Sequence, residues 1–475
     1  MTDLPRLPFS LRKWAVPAVA ALALCSCTGL TPEGGPEIQI KIPTRWKATP
    51  STAKALDTEA LPTWWERFRD PGLSAIIGES LRTSTDIRTA LSKMREARAA
   101  RGVERANLFP RVDAGASAQA SRDDNRDTGV TSRENYGASL DASWEIDLFG
   151  KQRQNVRAAS ADLAQAGEEY HAAQVSLAAD VADAYVSLRL AEEELAVLQN
   201  SLGTREETVQ LTKWREQAGQ GSALDTQQAI TQLEQARAAI PTAKQTIGQT
   251  RNRIALLAGR TPGAMDALLA RRRTLPVPPS RIALGIPAET LRQRPDVRAA
   301  EHAVQAAISR RRAAQLERYP TLNLSGTIGV EALKAGRIFS PESTAASLLG
   351  SLAAPIFDAG RIRENINIQD ERQKQAVIAY ESTILTALSE VENALIAIQR
   401  LAERLTIINR AVTAAREATK LASQQYQAGQ VDLLNVLEAQ RNLLSLEQQE
   451  VNTRADRASA HVQLYRALGG GWSSN

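Results

Sequence analysis

The chain has 475 residues, with 58 Lys plus Arg against 53 Asp plus Glu and aromatics at only 4%. So small a charge excess excludes a nucleic-acid partner argued from electrostatics, and the abundance of Ala, Gln, Glu, Leu and Arg suits long packed helices better than a compact enzyme. Its two cysteines, Cys25 and Cys27, leave the processed chain without a pair for a disulfide.

Arg12 and Lys13 precede an apolar run from Trp14 to Leu24. The run is too short to span a bilayer and reads as a secretory signal. It ends in Leu24-Cys25-Ser26-Cys27, a pattern that resembles the bacterial lipoprotein signal. Residues 1–26 are therefore expected to be removed, with Cys27 becoming the lipidated, palmitate-bearing first residue. Removal leaves 55 basic and 52 acidic side chains. Thr28 follows Cys27, not the Asp that would suggest inner-membrane retention. Residues 27–79 are read as the lipidated N-terminal segment with a first short helix.

Shifted by 210 residues, the chain matches itself without a gap. Asp86 and Arg88 fall on Asp296 and Arg298, and Pro110 falls on Pro320. Gly219, Gln220 and Leu224 fall on Gly429, Gln430 and Leu434, and Gly259 falls on Gly469. A duplication of this length fixes the architecture. The offset is even and a multiple of seven, so strand alternation and helical heptads keep their phase in both copies. The first repeat is expected over 80–260 and the second over 290–469. A Pro-rich linker lies at 261–289, and a tail at 470–475 ends the chain.

Each repeat opens with a short helix, at about 80–107 and 290–317. Alternation of apolar and polar residues then predicts strands of about nine residues at 112–120 and 136–145, and at 321–330 and 348–356. Ser121–Asn135 and Glu331–Ala346 are read as external loops. Strand length and one apolar face match transmembrane strands. From Val156 and from Ile366, positions seven apart are apolar in thirteen of fourteen cases, and no proline falls in Lys151–Gly219 or Arg361–Gly429. Long helical hairpins are therefore predicted at about 151–258 and 361–468. The down-going helix forms a rod of roughly 95 Å, and its shorter return partner is completed by the short helix stacked on its end.

No catalytic constellation competes with this reading. His171, His302 and His461 lie apart on helices, and no phosphate loop is present. No metal or cofactor is called for. Asp147 and Asp358, at strand-to-helix corners, are read as caps. Glu192–Glu193 is read as a solvated face, and Arg271-Arg272-Arg273 as surface charge in the linker. Four strands cannot close a spanning barrel, and lipid does not tolerate an open sheet edge. The chain must therefore share a barrel among copies; three would supply twelve strands.

Several motifs point to one family. Trp64-Trp65, Phe68, Asp70-Pro71 and Leu73 lead in. Asp86-Ile87-Arg88 and Arg294-Pro295-Asp296-Val297-Arg298 open the short helices. Leu108-Phe109-Pro110 and Arg318-Tyr319-Pro320 open the strands. Asp147-Leu148-Phe149-Gly150 and Pro355-Ile356-Phe357-Asp358-Ala359-Gly360-Arg361 start the long helices, and Tyr426-Gln427-Ala428-Gly429 precedes Asp432-Leu433-Leu434-Asn435-Val436-Leu437-Glu438-Ala439. Together they resemble the TolC-like outer-membrane efflux channels, or outer-membrane factors, and in particular their lipoprotein (NodT-like) branch.

That resemblance implies a mainly α fold with a small transmembrane β part. It implies a homotrimer, with a periplasmic α-barrel and a shared twelve-stranded β-barrel in outer-membrane lipid. The partners would be a periplasmic adaptor (membrane fusion protein) and an inner-membrane pump. Docking tips would be Gly219, Gln220, Gly221 and Gly429, Gln430, Val431. The resemblance also places a periplasmic gate at Asp225, Tyr426, Asn435 and Glu438, with a Tyr426–Asp225 hydrogen bond. Val431 stands where some members carry a linking arginine. Type I protein secretion stays open beside small-molecule efflux, and the rival class is a lipid-anchored coiled-coil adaptor.

Overall fold

The computed structural model describes residues 40–48, 54–55, 61–125, 129–270, 274–279, 283–284, 286–338 and 340–472. Cys27 and Arg271–Arg273 lie outside the described residues. In chain order the main elements are α1 (Pro71–Thr83), α2 (Thr85–Ala106), β1 (Arg111–Asn125), β2 (Gly129–Ile146), α3 (Lys151–Gln217), α4 (Ala223–Leu257), α5 (Pro295–Leu316), β3 (Thr321–Ala332), β4 (Thr344–Ala353), α6 (Arg361–Gln427) and α7 (Leu433–Ala467). No helix among the described residues is long and apolar enough to cross a membrane.

The expected short helices are each jointed. Ser84 ends α1 and then caps α2, its hydroxyl accepting the Asp86 N–H at 3.2 Å. In the second repeat a helix over Pro287–Gln293 stops at Arg294, which is extended because Pro295 follows it. α2 and α5 therefore have 22 residues each, about 33 Å, rather than the 27 or so expected.

The four strands form one antiparallel sheet in the order β1-β2-β3-β4. The register places Ala114, Leu140, Ile328 and Ala346 on one rung and Asp113, Asp141, Thr327 and Ser347 on the next. One face is thus apolar and the other polar. β1 and β2 run longer than expected. Their pairing continues to Asn125 and Gly129, so much of the predicted loop Ser121–Asn135 is hairpin. Only the nine residues Val112–Ala120 of β1 keep the apolar alternation; Arg122 and Asp124 then occupy that face. The last strand lies at Thr344–Ala353 instead of 348–356, because its pairing with β3 ends at Thr321–Ala353. Ile356 and Phe357 fall beyond it and are exposed.

α3 and α6 have 67 residues each, about 100 Å, and α4 and α7 have 35, about 52 Å. Gly259 and Gly469 make the joints where a return helix meets the short-helix end. Their φ values are +64° and +75°, and a Cβ on Gly259 would stand 2.6 Å from the Thr83 carbonyl oxygen. Asp147 and Asp358 accept first-turn N–H groups of α3 and α6, as caps do.

The largest core lies midway along the helices. Trp64 stacks on Tyr465 at 5.2 Å and meets Phe68 edge-on. Leu73, Ile76 and Ile77 of α1 pack there with Leu177 to Leu188 of α3, Ala458 to Ala467 of α7 and the adjoining Leu468. The Tyr185 hydroxyl donates to Asp70 at 2.9 Å, and burial pushes that phenol up to about 12. Glu192 and Glu193 are not a solvated face. Glu192 pairs with buried Arg189 at 2.5 Å and with Arg251 at 3.2 Å. Glu193 pairs with Arg454 at 2.5 Å and accepts the Leu275 N–H. Leu275 of the linker thus lies against Glu193, and Arg251 of α4 lies against Glu192.

Candidate functional site

α3 and α6 end in matching turns, far from the sheet. In each, a glycine with positive φ (Gly219, +70°; Gly429, +75°) follows the last helical turn. Gln220 N–H bonds to Arg215 C=O and Gly219 N–H to Glu216 C=O, at 2.8 and 3.0 Å; Gln430 and Gly429 repeat this on Gln425 and Tyr426. This double bond pattern satisfies carbonyls that would otherwise lack partners and needs a left-handed residue, which glycine supplies without strain. Gln220, Gly219, Gly429 and Gln430 are exposed, as are Trp214, Leu224 and Leu434 beside them. The tips are therefore polar backbone turns ringed by apolar side chains.

Behind the turns, a small core joins the two hairpins. Val209 of α3, Ala229 and Leu233 of α4, and Leu433, Val436 and Leu437 of α7 enclose Tyr426. Burial raises the Tyr426 phenol above its usual range. The Arg215 cation opposes this and the Asp225 charge adds to it. Tyr426 is thus a neutral phenol at physiological pH.

The anticipated Tyr426–Asp225 hydrogen bond is not made. Asp225 closes a capping box at the start of α4 instead, bonding the Ser222 N–H at 3.2 Å while Ser222 accepts its N–H at 3.1 Å. Ser222 three residues ahead of Asp225 favours this local pairing. Asn435 and Glu438 sit one turn apart on an exposed face of α7, and Glu438 makes no hydrogen bond or ion pair among the described residues. Val431 is half-buried against the tip core.

Sequence reasoning missed Arg215. Its guanidinium lies 4.6 Å from the Tyr426 ring centroid and donates to the Tyr426 carbonyl. No periodicity marks it; an Arg four residues ahead of a turn glycine was the available sign. It also missed Trp214, legible only as an exposed tryptophan in an aromatic-poor chain.

The family described as outer membrane efflux protein matches residues 76–260 and again 286–470, two segments offset by the same 210 residues as the internal repeat. The toluene efflux pump outer membrane protein TtgF of Pseudomonas putida is 32% identical over 416 residues, 86% of each chain. The antibiotic efflux pump outer membrane protein ArpC, also of Pseudomonas putida, is 30% identical over 465 residues, 96% of this chain and 95% of that one. Among solved structures, the outer-membrane channel OprN superposes with a TM-score of 0.85 at 32% identity, covering 92% of this chain and 99% of that one. The open state of the MtrE outer membrane channel of Neisseria gonorrhoeae gives 0.79 at 30% identity, covering 94% and 98%.

Proposed function

The chain belongs to the outer membrane efflux protein family, and we propose that it is the exit duct of a tripartite efflux pump. It would take small molecules from an inner-membrane pump through a periplasmic adaptor and release them outside. It resides in the outer membrane and extends into the periplasm. The role is transport. Relatives named for toluene, solvent and antibiotic efflux favour apolar small molecules as cargo.

One observation carries this reading: the chain is an incomplete wall. The sheet has two free edges, and nine alternating residues of β1 span about 30 Å of hydrocarbon. α6 bears a stripe of Ile368, Ile378, Leu385 and Ile396, exposed by 50, 63, 54 and 48%. Shifted back by 210, these are Ala158, Glu168, Val175 and Val186 on α3, exposed by only 4, 7, 6 and 2%. α3 is covered by α5 and α7 of the other repeat, whereas α6 packs on α5 and α7 of its own. The missing cover for α6 is therefore α2 and α4 of another copy. Three copies close both the sheet and the helical wall.

Cys27 carries the lipid in this reading, and the two tips dock the adaptor through their turns and the apolar rim of Trp214, Leu224 and Leu434. Tyr426 and Asp225 belong to the periplasmic gate, and Glu438, on the exposed face of α7, gives a ring of three carboxylates in the pore. Conductance of the purified protein in planar bilayers, with solvent and antibiotic tolerance of a deletion strain, tests the assignment. A protein that neither conducts nor restores tolerance would overturn it.

A further inference from the structure

Arg215 lies in the last turn of α3, yet its side chain reaches the other hairpin. We infer that Arg215 is a positioning residue for the gate: its guanidinium clamps the end of α6 to the end of α3, holds Tyr426 in its closed seat and makes the two tips move as one body. The inference rests on the reading of Tyr426 as part of the gate.

The contacts are of two kinds. The guanidinium faces the Tyr426 ring with its carbon 4.6 Å from the centroid, within cation–π range. Its Nη1 donates to the Tyr426 carbonyl and its Nη2 to the Gln220 carbonyl at 3.4 Å. The Tyr426 carbonyl lies in the last turn of α6 and the Gln220 carbonyl in the turn that follows α3, at the ends where each helix dipole is negative. One cation therefore serves both helix ends. Arg215 makes no ion pair among the described residues, so its hold depends on planar geometry that a lysine ammonium cannot reproduce.

The surroundings are shaped for this side chain. A Cβ on Gly221 would stand 3.3 Å from the Arg215 Cβ, so glycine leaves the side chain room. The matched residues of the other repeat are Val431 for Gly221 and Gln425 for Arg215, so only the first tip can supply the clamp. Among the described residues, the two polar closing contacts expected at this tip are not made. Asp225 is occupied in its capping box, and position 431 carries no cation. Drawing α6 away from α3 must break the stack and the carbonyl bond together.

The test compares single-channel records of R215A, R215K, Y426A and the double variant R215A/Y426A, with oligomer mass and melting temperature measured for each. R215A and Y426A are each expected to raise the open fraction about tenfold, equivalent to about 1.4 kcal/mol. The double variant should open no further than the larger single. R215K should fall between, keeping a donor but losing the stack. Melting temperatures of R215A and R215K should stay within about 2 °C of the parent, whereas Y426A, which empties the tip core, lowers its own. Silence of R215A while Y426A opens the channel overturns the clamp alone. Silence of both overturns the gate reading and the clamp with it. Additive opening, or opening of R215A that tracks a falling melting temperature of R215A, overturns the coupling. Should R215A fail to assemble, R215K carries the same comparison.

Discussion

Glutamate placed at two positions on the α6 stripe should have opposite effects. Leu385 is 54% exposed in one chain, and its image Val175 is 6% exposed. Burying about half of a leucine contributes roughly 1 kcal/mol, so the four stripe residues together contribute about 4 kcal/mol at each contact between copies. Leu385→Glu removes part of that and leaves a carboxylate buried without a partner, at a cost of several kcal/mol. It is expected to leave monomers. Ile378 is the image of Glu168, which pairs with Arg298 at 2.6 Å. The image of Arg298 is Arg88, which is exposed and makes no ion pair among the described residues. Ile378→Glu should therefore meet Arg88 of the next copy and assemble, and adding Arg88→Glu should undo it. Light scattering of the detergent-extracted complex reads the outcome. Dissociation of Ile378→Glu with intact assembly of Leu385→Glu would refute the 210-residue equivalence.

Other expectations follow from single groups. His461 is buried, with Nδ1 donating to the Arg457 carbonyl at 2.8 Å, and burial pulls its pKa down to about 4. Its folded value lies below the ordinary 6.5, so stability is full above pH 6.5 and falls as pH drops toward 4, by roughly 3 kcal/mol per chain; melting curves at pH 7.5 and 4.5 should show this, and His461→Leu should flatten it. Gly259→Ala should destabilise by about 1–3 kcal/mol through its positive φ and the Thr83 carbonyl at 2.6 Å, measured by denaturant melts against Gly248→Ala, which lies in a helix interior with open space and should not destabilise. Gly219→Leu with Gly429→Leu should abolish export, each leucine straining its own turn through the positive φ, and leave the oligomer intact, because an added Cβ at Gly219 meets nothing within 4 Å and at Gly429 only the Arg215 Nη2 at 3.9 Å; normal solvent tolerance would remove the docking role. Glu438→Gln should lower cation preference in reversal-potential measurements, since it neutralises an exposed carboxylate that has no partner among the described residues.

The architecture was legible because the duplication preserves both periods that matter. Val156 to Leu198 and Ile366 to Ile408 hold a helical seam, and Ala138, Leu140 and Ala142 alternate as a strand must. What escaped depends on which elements face each other. Glu192 and Glu193 look solvent-bound until Arg251 of α4 is seen against the first, and Leu275 of the linker and Arg454 of α7 against the second. Arg215 and Tyr426 are 211 residues apart and meet only because the two hairpins pack side by side. The joint at Ser84 was hidden because Thr83-Ser84-Thr85 does not break the apolar spacing, although Ser84 two residues before Asp86 was a capping sign. Asp225 was assigned a distant partner when Ser222 offered a nearer one.

The equivalence of α3 and α6 also bears on ancestry. A polypeptide of one repeat would present the same edges at both ends, and six of them could close the wall that three whole chains close in the proposed assembly. Fusing two repeats into one gene released each position from serving two neighbours at once. Glu168 and Ile378 have diverged in this way, as have Gly221 and Val431, and Arg215 and Gln425. Sixfold likeness persists where the wall needs only packing, and it fails at the tip, where a closing device requires one side to differ from the other.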